Sequence, residues 1–339
     1  MIESLAVLTP EERLRRLRAL AIAALDQWNL DVGSVEPLKV RENAVFAVQL
    51  RDGKRVALRV HRHGYHTDAA LESEYMWLRA LDESGIEVPA FVPTRAGRGF
   101  ALASTAEVPV PHQVDVLRWI EGNMLGALGE HMHGVEADVQ QVYGVVGELA
   151  AAMHNQASAW SPPTGFVRHA WDAEGLVGER PLWGRFWELG ALARHEAAIL
   201  RRLRARLQCD LPNFGTGADR FGLIHADLVP ENILVSGASP RLIDFDDFGF
   251  GWHMFELATS LYFIRREPFY EDARDALIAG YRRRRPLPDE HISLLPLFLA
   301  VRGTTYLGWV HTRHGEQVAR DLTPQLIELA LAAASDYLD

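Results

Sequence analysis

The segment Leu223 to Val235 sets a His-x-Asp-x-x-x-x-Asn loop (His225, Asp227, Asn232) between two apolar runs, and Leu242-Ile243-Asp244-Phe245-Asp246-Asp247 follows after one short turn. Polar groups spaced this way at the ends of apolar strands constrain the fold, because a rigid scaffold has to hold them in register. Phosphoryl transfer needs such a set: one carboxylate beside the attacking hydroxyl, and separate oxygen ligands that hold magnesium against the phosphates. Asp227 suits the first task, and Asn232 and Asp244 suit the second. The plain alternative is two strands of a hairpin with polar turn residues, since a His, an Asp and an Asn near a Pro-containing turn are ordinary turn chemistry. That alternative covers the first loop but not the second, where Asp244, Asp246 and Asp247 crowd together and repel unless a cation or donor offsets them.

At 339 residues the chain is more comfortable as two lobes than as one core, and with 48% hydrophobic residues it can bury both. The net charge of -10, from 45 acidic and 35 basic side chains, disfavours nucleic acid or an anionic membrane as a partner and mildly favours cationic ones. A single cysteine, Cys209, cannot form an internal disulfide, so a reducing cytoplasm is the expected home. Residues 1–18 are charged without an export pattern, and no apolar run approaches membrane-spanning length.

Thr9-Pro10-Glu11-Glu12 reads as a helix start, with the helix continuing to about Trp28. Ala44–Leu50 and Arg55–Val60 are β-prone runs joined by Arg51-Asp52-Gly53-Lys54, whose Asp-Gly favours a tight hairpin. Leu71, Tyr75, Leu78 and Leu81 recur at helical spacing between Thr67 and Ser84, and Gly85 is placed to end that helix. Strands are expected at Phe100–Ser104 and Val114–Ile120, which complete a small β-rich lobe. Glu121-Gly122-Asn123 is the joint, so the lobes are 1–120 and 121–339. In the second lobe helices are expected at Val139–Gln156, Glu188–Leu207, Phe255–Arg265, Ala273–Tyr281, Asp289–Thr312 and Thr323–Leu338.

This order of parts resembles the aminoglycoside phosphotransferase and choline kinase superfamily, whose fold is that of protein kinases, over about Pro37 to Trp309. Within it the chain is most similar to the stress response kinase and type II homoserine kinase branches, through the Glu-Asn-x-Val-aromatic loop at Glu42 to Phe46. The resemblance implies an α+β, bilobal protein-kinase-like fold, with a small antiparallel-sheet lobe that binds nucleotide and a larger, mainly helical lobe that carries catalysis and the acceptor. It implies ATP and Mg2+ as cofactors, with ATP bound between the lobes, Asp227 as catalytic base, and Asn232 and Asp244 on the metal. His225 braces the loop on this view, since the hydroxyl must meet the Asp. Arg59 falls where a phosphate-binding Lys is expected and Glu74 where its helix partner is expected, although a planar fork there replaces a compact charge. Asn43 sits in a loop that folds over the phosphates with backbone donors, and Trp119 marks the hinge where adenine is read.

Other features carry competing explanations. His61, His63 and His66, and likewise His131 and His133, read as solvated loops rather than metal ligands. Favourable charge at a helix end explains the Arg282–Arg285 run without nucleic acid. Trp160, Trp171, Trp183 and Trp187 pack the large lobe or border the acceptor pocket; packing is favoured because Trp183 and Trp187 stand four apart on one helical face. Asp246, Asp247 and Trp309 are candidates for contact with the acceptor, the two carboxylates for an ammonium group or a second metal, and Glu256 either joins them or caps a helix. Arg302 and Tyr306 share a helical face with Trp309. The leading expectation is an ATP- and magnesium-dependent kinase acting on a hydroxyl of a small metabolite or aminoglycoside-like amine. A protein Ser/Thr kinase and a nucleotide-binding regulator with little catalysis are the alternatives.

Overall fold

The cap chemistry at Thr9 sets where the first helix begins: its Oγ1 accepts the Glu12 N–H at 3.3 Å and Pro10 takes the first helical position. In the computed structural model, which describes residues 5, 8–41, 43–126, 139–237 and 239–339, this helix is α1 (Pro10–Ala24). Glu42, His131 and His133 lie outside the described residues. The chain forms two compact units, one reaching to Ile120 and including Pro162–Val167, the other made of Glu121–Ser161 and Arg168–Asp339.

In the first unit β1 (Val32–Val40), β2 (Ala44–Leu50), β3 (Arg55–Val60), α2 (Asp68–Glu83), β4 (Phe100–Ala103) and β5 (His112–Arg118) follow in chain order. The strands make one antiparallel sheet ordered β1-β2-β3-β5-β4. Leu17, Leu20, Ala21 and Trp28 pack against Phe46, Val48, Leu58, Val114 and Val116, so α1 covers one face. Alternation in β2 and β3 is what lets one side of each strand supply that core. Gly53, at φ 88°, makes the turn between them, and Gly85, at φ 82°, follows α2. Val167 belongs here through its N–H, which donates to Ser73 Oγ at 2.8 Å.

The second unit runs β6 (Asn123–Met124), α3 (Val139–Ala159), β7 (Ala170–Trp171), α4 (Ala173–Val177), α5 (Arg194–Phe214), β8 (Phe221–Ile224), β9 (Ile233–Ser236), β10 (Ser239–Leu242), β11 (Gly249–Trp252), α6 (His253–Tyr262), α7 (Tyr270–Arg282), α8 (Asp289–Ile292), α9 (Leu295–Thr312) and α10 (Gln317–Leu338). Two three-stranded sheets lie in it, ordered β10-β9-β6 and β7-β11-β8. The helix expected from Glu188 begins instead at Arg194, where the Glu196 carboxylate accepts the Ala193 N–H at 2.8 Å, and runs on to Phe214. Trp183 therefore lies in a turn, and the shared helical face expected for it and Trp187 does not form. No helix among the described residues is long and apolar enough to cross a membrane.

α3 and α7 touch backbone to backbone, because each has glycine at the crossing. A Cβ on Gly280 would overlap the Gly144 carbonyl, and one on Gly147 would overlap the Leu277 carbonyl. The arginine run after α7 locks this pair: Arg283 and Arg284 reach Glu148, and Arg285 donates to Asn155 Oδ1 at 2.9 Å. Gly280→Ala is expected to destabilise the chain by about 1–3 kcal/mol through overpacking. Gly190→Ala, where an added Cβ meets nothing within 4 Å, is the control; urea denaturation of the two variants checks it.

Candidate active site

Two loops cross between the small sheets of the second unit. Residues 225–232 leave β8 and enter β9 in the other sheet, and residues 243–248 return from β10 to β11. The strands flanking the His225–Asn232 loop are thus not partners, so the simple-hairpin alternative does not hold for it. Ala226 (φ 65°) and Asp244 (φ 64°) are the non-glycine residues with positive φ among the described residues, one in each loop. Strain of this kind persists only where surrounding contacts over-determine it.

Those contacts come from Glu256 on α6, which is fully buried. Its two carboxylate oxygens accept the consecutive N–H groups of His225 and Ala226, both at 2.8 Å. Burial pushes the Glu256 carboxyl up, against the pull of His225 and the two backbone donors. His225 braces the crossing: its Nε2 donates to the Ile243 carbonyl at 3.0 Å and its Nδ1 accepts the Asp227 N–H at 3.3 Å. One imidazole therefore ties the two loops together.

Asp227 follows this brace, with its side chain 21% exposed. Asn232 Nδ2 donates to its Oδ2 and to its backbone carbonyl, both at 2.9 Å. Arg302 on α9 donates to Oδ1 at 2.5 Å and to the Ala226 carbonyl at 3.1 Å. The Ile243 N–H donates to the Asn232 carbonyl at 3.0 Å, which puts Asp244 one residue from a bond to Asn232. With its amide nitrogen committed to Asp227, Asn232 keeps its side-chain oxygen as an acceptor. An amide oxygen and the exposed Asp244 carboxylate are both hard oxygen donors, of the kind that would suit a divalent cation such as magnesium. No three His, Cys, Asp or Glu converge into a metal cage among the described residues, so such an ion would also need oxygens from phosphate or water.

Asp246 is buried and Asp247 half-buried, in a return loop that Arg168 and Trp171 lace down by its carbonyls. Arg168 donates to the carbonyls of Asp246 and, at 2.6 Å, of Phe248, and Trp171 Nε1 donates to that of Asp247 at 2.9 Å. Trp309 is half-buried, and the Arg313 guanidinium lies 5.1 Å from its ring centre.

In the first unit Arg59 and Glu74 form a buried ion pair at 2.8 Å. A further carboxylate shares it: Asp115 on β5, fully buried, takes Arg59 Nε at 2.9 Å and Nη2 at 2.7 Å, and bonds His61 Nε2 at 2.7 Å. Burial alone would raise the Asp115 carboxyl, but attraction to Arg59 and His61 outweighs it and holds the group below the usual carboxylate range. Sequence reasoning missed Asp115, although a single acid inside the apolar run Val114–Leu117 was the available signal. Asn43 is buried with its Oδ1 unmatched among the described residues, and Trp119 packs beneath the Arg55 guanidinium at 4.4 Å.

Four likenesses bear on this arrangement. A family model described as the phosphotransferase enzyme family matches residues 34–287. The solved structure of a microcompartment-associated aminopropanol kinase is 32% identical, with a TM-score of 0.79, over 93% of this chain and 95% of that one. An amicoumacin kinase in complex with AMP-PNP, Ca2+ and Ami shares the fold at 19% identity, with a TM-score of 0.75, over 97% of this chain and 94% of that one. Homoserine kinase of Gluconacetobacter diazotrophicus is 32% identical over 193 residues, 52% of this chain and 55% of that protein.

Two outcomes follow from the buried charges. Asp115→Asn leaves the Arg59 fork in a dry site without its bidentate partner, and is expected to cost about 3–5 kcal/mol of stability in urea denaturation. Behind Glu256, the rings of His154 and His253 stack at 4.2 Å; His154 Nδ1 bonds the Tyr281 hydroxyl at 2.9 Å and His253 faces the Asp219 carbonyl at 3.3 Å, with Arg285 nearby. Burial holds both imidazoles below their ordinary value, His253 at about 3. The unfolded chain therefore binds more protons below the ordinary histidine value. This stabilising contribution is full above about pH 6.5 and falls with pH, by up to about 1.4 kcal/mol per unit for each ring. The urea midpoint should drop between pH 7 and pH 5, and less steeply in His253→Phe.

Proposed function

Because this chain belongs to the phosphotransferase enzyme family, the aminoglycoside phosphotransferase and choline kinase superfamily, with its protein-kinase-like α+β fold, we propose that it transfers the γ-phosphoryl group of ATP to the hydroxyl of a small amino alcohol. It is an ATP-dependent phosphotransferase. The observation that carries the finer reading is Asp227: a carboxylate with one face open to solvent and both oxygens oriented by donors, Arg302 at 2.5 Å and Asn232 at 2.9 Å. Each oxygen retains a lone pair. Asp227 orients the acceptor hydroxyl and receives its proton as the new O–P bond forms and the bond from the γ-phosphorus to the β-phosphate oxygen breaks, giving ADP and a phosphomonoester.

Asn232 and Asp244 hold Mg2+ in this reading. Bound there, the ion supplies neutralisation of charge on the phosphate oxygens. The first unit is the nucleotide-binding part: Arg59, held by Glu74 and Asp115, offers the phosphates a fixed guanidinium, Asn43 lies in the loop over them, and Trp119 lies by the base. The second unit is the catalytic and acceptor-binding part. Aminopropanol and homoserine, the acceptors in the names of two relatives, both carry an amine and a hydroxyl. Asp246 and Asp247 in the return loop, with Trp309, are the acceptor contacts, and the net charge of -10 favours a cation. One exposed thiol, Cys209, suits a reducing cytoplasm.

ADP release over a panel of aminopropanol, homoserine, choline, sugars and aminoglycosides tests this, with Asp227→Asn as control. Acceptor-dependent turnover with an amino alcohol is expected, reduced about 100- to 10,000-fold in the variant. No acceptor-dependent turnover, or full turnover in Asp227→Asn, would overturn it.

A further inference from the structure

Arg302 is completely buried, yet its guanidinium ends on a carboxylate of the site that meets solvent. Aromatic rings surround it: its Cζ lies 4.4 Å from the Tyr306 ring centre, 5.0 Å from Trp183 and 5.6 Å from Phe255. Nη2 also donates to the Tyr306 hydroxyl at 2.6 Å, and burial pushes that phenol well above its ordinary value. The cage is closed by close backbone packing, since a Cβ at Gly308 on α9 would run into the Gly184 carbonyl beside Trp183. Among the described residues the only carboxylate that Arg302 bonds is Asp227.

A charge this dry is costly unless it is paired in good geometry. A packing role alone would be met by an apolar side chain of similar volume, with no charge to desolvate. From the combination of a dry cation, an aromatic cage and a solvent-facing carboxylate, we infer that Arg302 is the positioning residue that fixes Asp227 for phosphoryl transfer, acting from behind it and never touching substrate. It pins Oδ1 from the buried side while Asn232 pins Oδ2 from the loop, so the carboxylate has no free rotation left. Its second arm, to the Ala226 carbonyl, holds the strained residue just before Asp227. Tyr306 in turn fixes the guanidinium, one helical turn along α9.

This inference rests on the proposed role of Asp227 and separates from it experimentally. Steady-state kinetics would compare wild type with Arg302→Met, Arg302→Lys, Asp227→Asn and the Arg302→Met/Asp227→Asn pair, with melting curves for each. Arg302→Met is expected to lower kcat about 100-fold through misplacement of the carboxylate, with KM for ATP changed by less than about 3-fold. Arg302→Lys, which keeps the charge and loses the fork, should recover part of kcat. Adding Arg302→Met to Asp227→Asn should cost nothing further in kcat if Arg302 acts through Asp227. Urea midpoints of wild type, Arg302→Met, Asp227→Asn and the pair read the coupling without any acceptor, and should be non-additive. Arg302→Met with wild-type kcat, or an equal loss on both backgrounds, overturns the inference even if the chain is a kinase. Full turnover in Asp227→Asn overturns the reading of Asp227 instead. If Arg302→Met does not fold, Arg302→Lys decides: a folded variant with wild-type kcat, or one whose kcat loss is matched by weaker ATP binding, overturns the positioning role.

Discussion

Two consecutive backbone N–H groups, those of His225 and Ala226, must find partners in a place without water. With Ala226 in the left-handed region, no helix or strand ladder can supply them. Glu256 does so with both carboxylate oxygens, 2.8 Å from each. Burying that carboxyl is unfavourable, as its upward shift reflects, but leaving two backbone donors orphaned would cost more than the exchange. The consequence reaches beyond the turn. His225 ties this loop to Ile243, Asn232 reaches back to Asp227, and Arg302 reads the Ala226 carbonyl, so the polar groups of the loop take their position from one glutamate in the first turn of α6.

The Arg59 cluster solves a related problem with different geometry. A lysine at this position, as the resemblance leads one to expect, would be a compact point charge without a planar fork for a bidentate grip. The planar fork of arginine takes Asp115 in a bidentate grip and reaches Glu74 with the same Nη2. The arginine and the acid on β5 are therefore one feature rather than two. β3 and β5 are neighbours in the sheet and pair Arg59 with Asp115 directly, so strand register brings the charges together.

Local chemistry explains what was legible in the sequence. The Asp-Gly turn, the apolar alternation of β2 and β3, the Thr9-Pro10 cap and the glycine after α2 are decided within a few residues, and they read correctly. β1 is not legible as a strand because it is an edge whose one buried residue is Val35, with Glu36, Pro37 and Lys39 giving it a loop-like composition. The start of α5 differs from the expected Glu188 because Glu196 accepting the Ala193 N–H settles it, a contact that periodicity does not register. In the site, His225, Asp227, Asn232 and Asp244 could be grouped from their spacing. Asp115, Arg302 and Glu256 could not, because their partners lie 56, 75 and 31 residues away and only tertiary packing brings them together.

Four carboxylates show how surroundings, rather than residue type, divide the work. Glu256 and Asp115 have no exposure and spend both oxygens on protein donors, so each acts as a rivet. Asp227 has donors on both oxygens as well, but one face is open. Asp244 is exposed and held by a strained backbone. On the proposed reading this difference gives the last two carboxylates separate tasks. Arg302 and Asn232 each engage one oxygen of Asp227, whereas the Asn232 amide oxygen and Asp244 are oxygen ligands of the kind a hard cation takes. On that reading the arginine behind Asp227 helps to separate the group that meets the hydroxyl from the groups that would hold the metal.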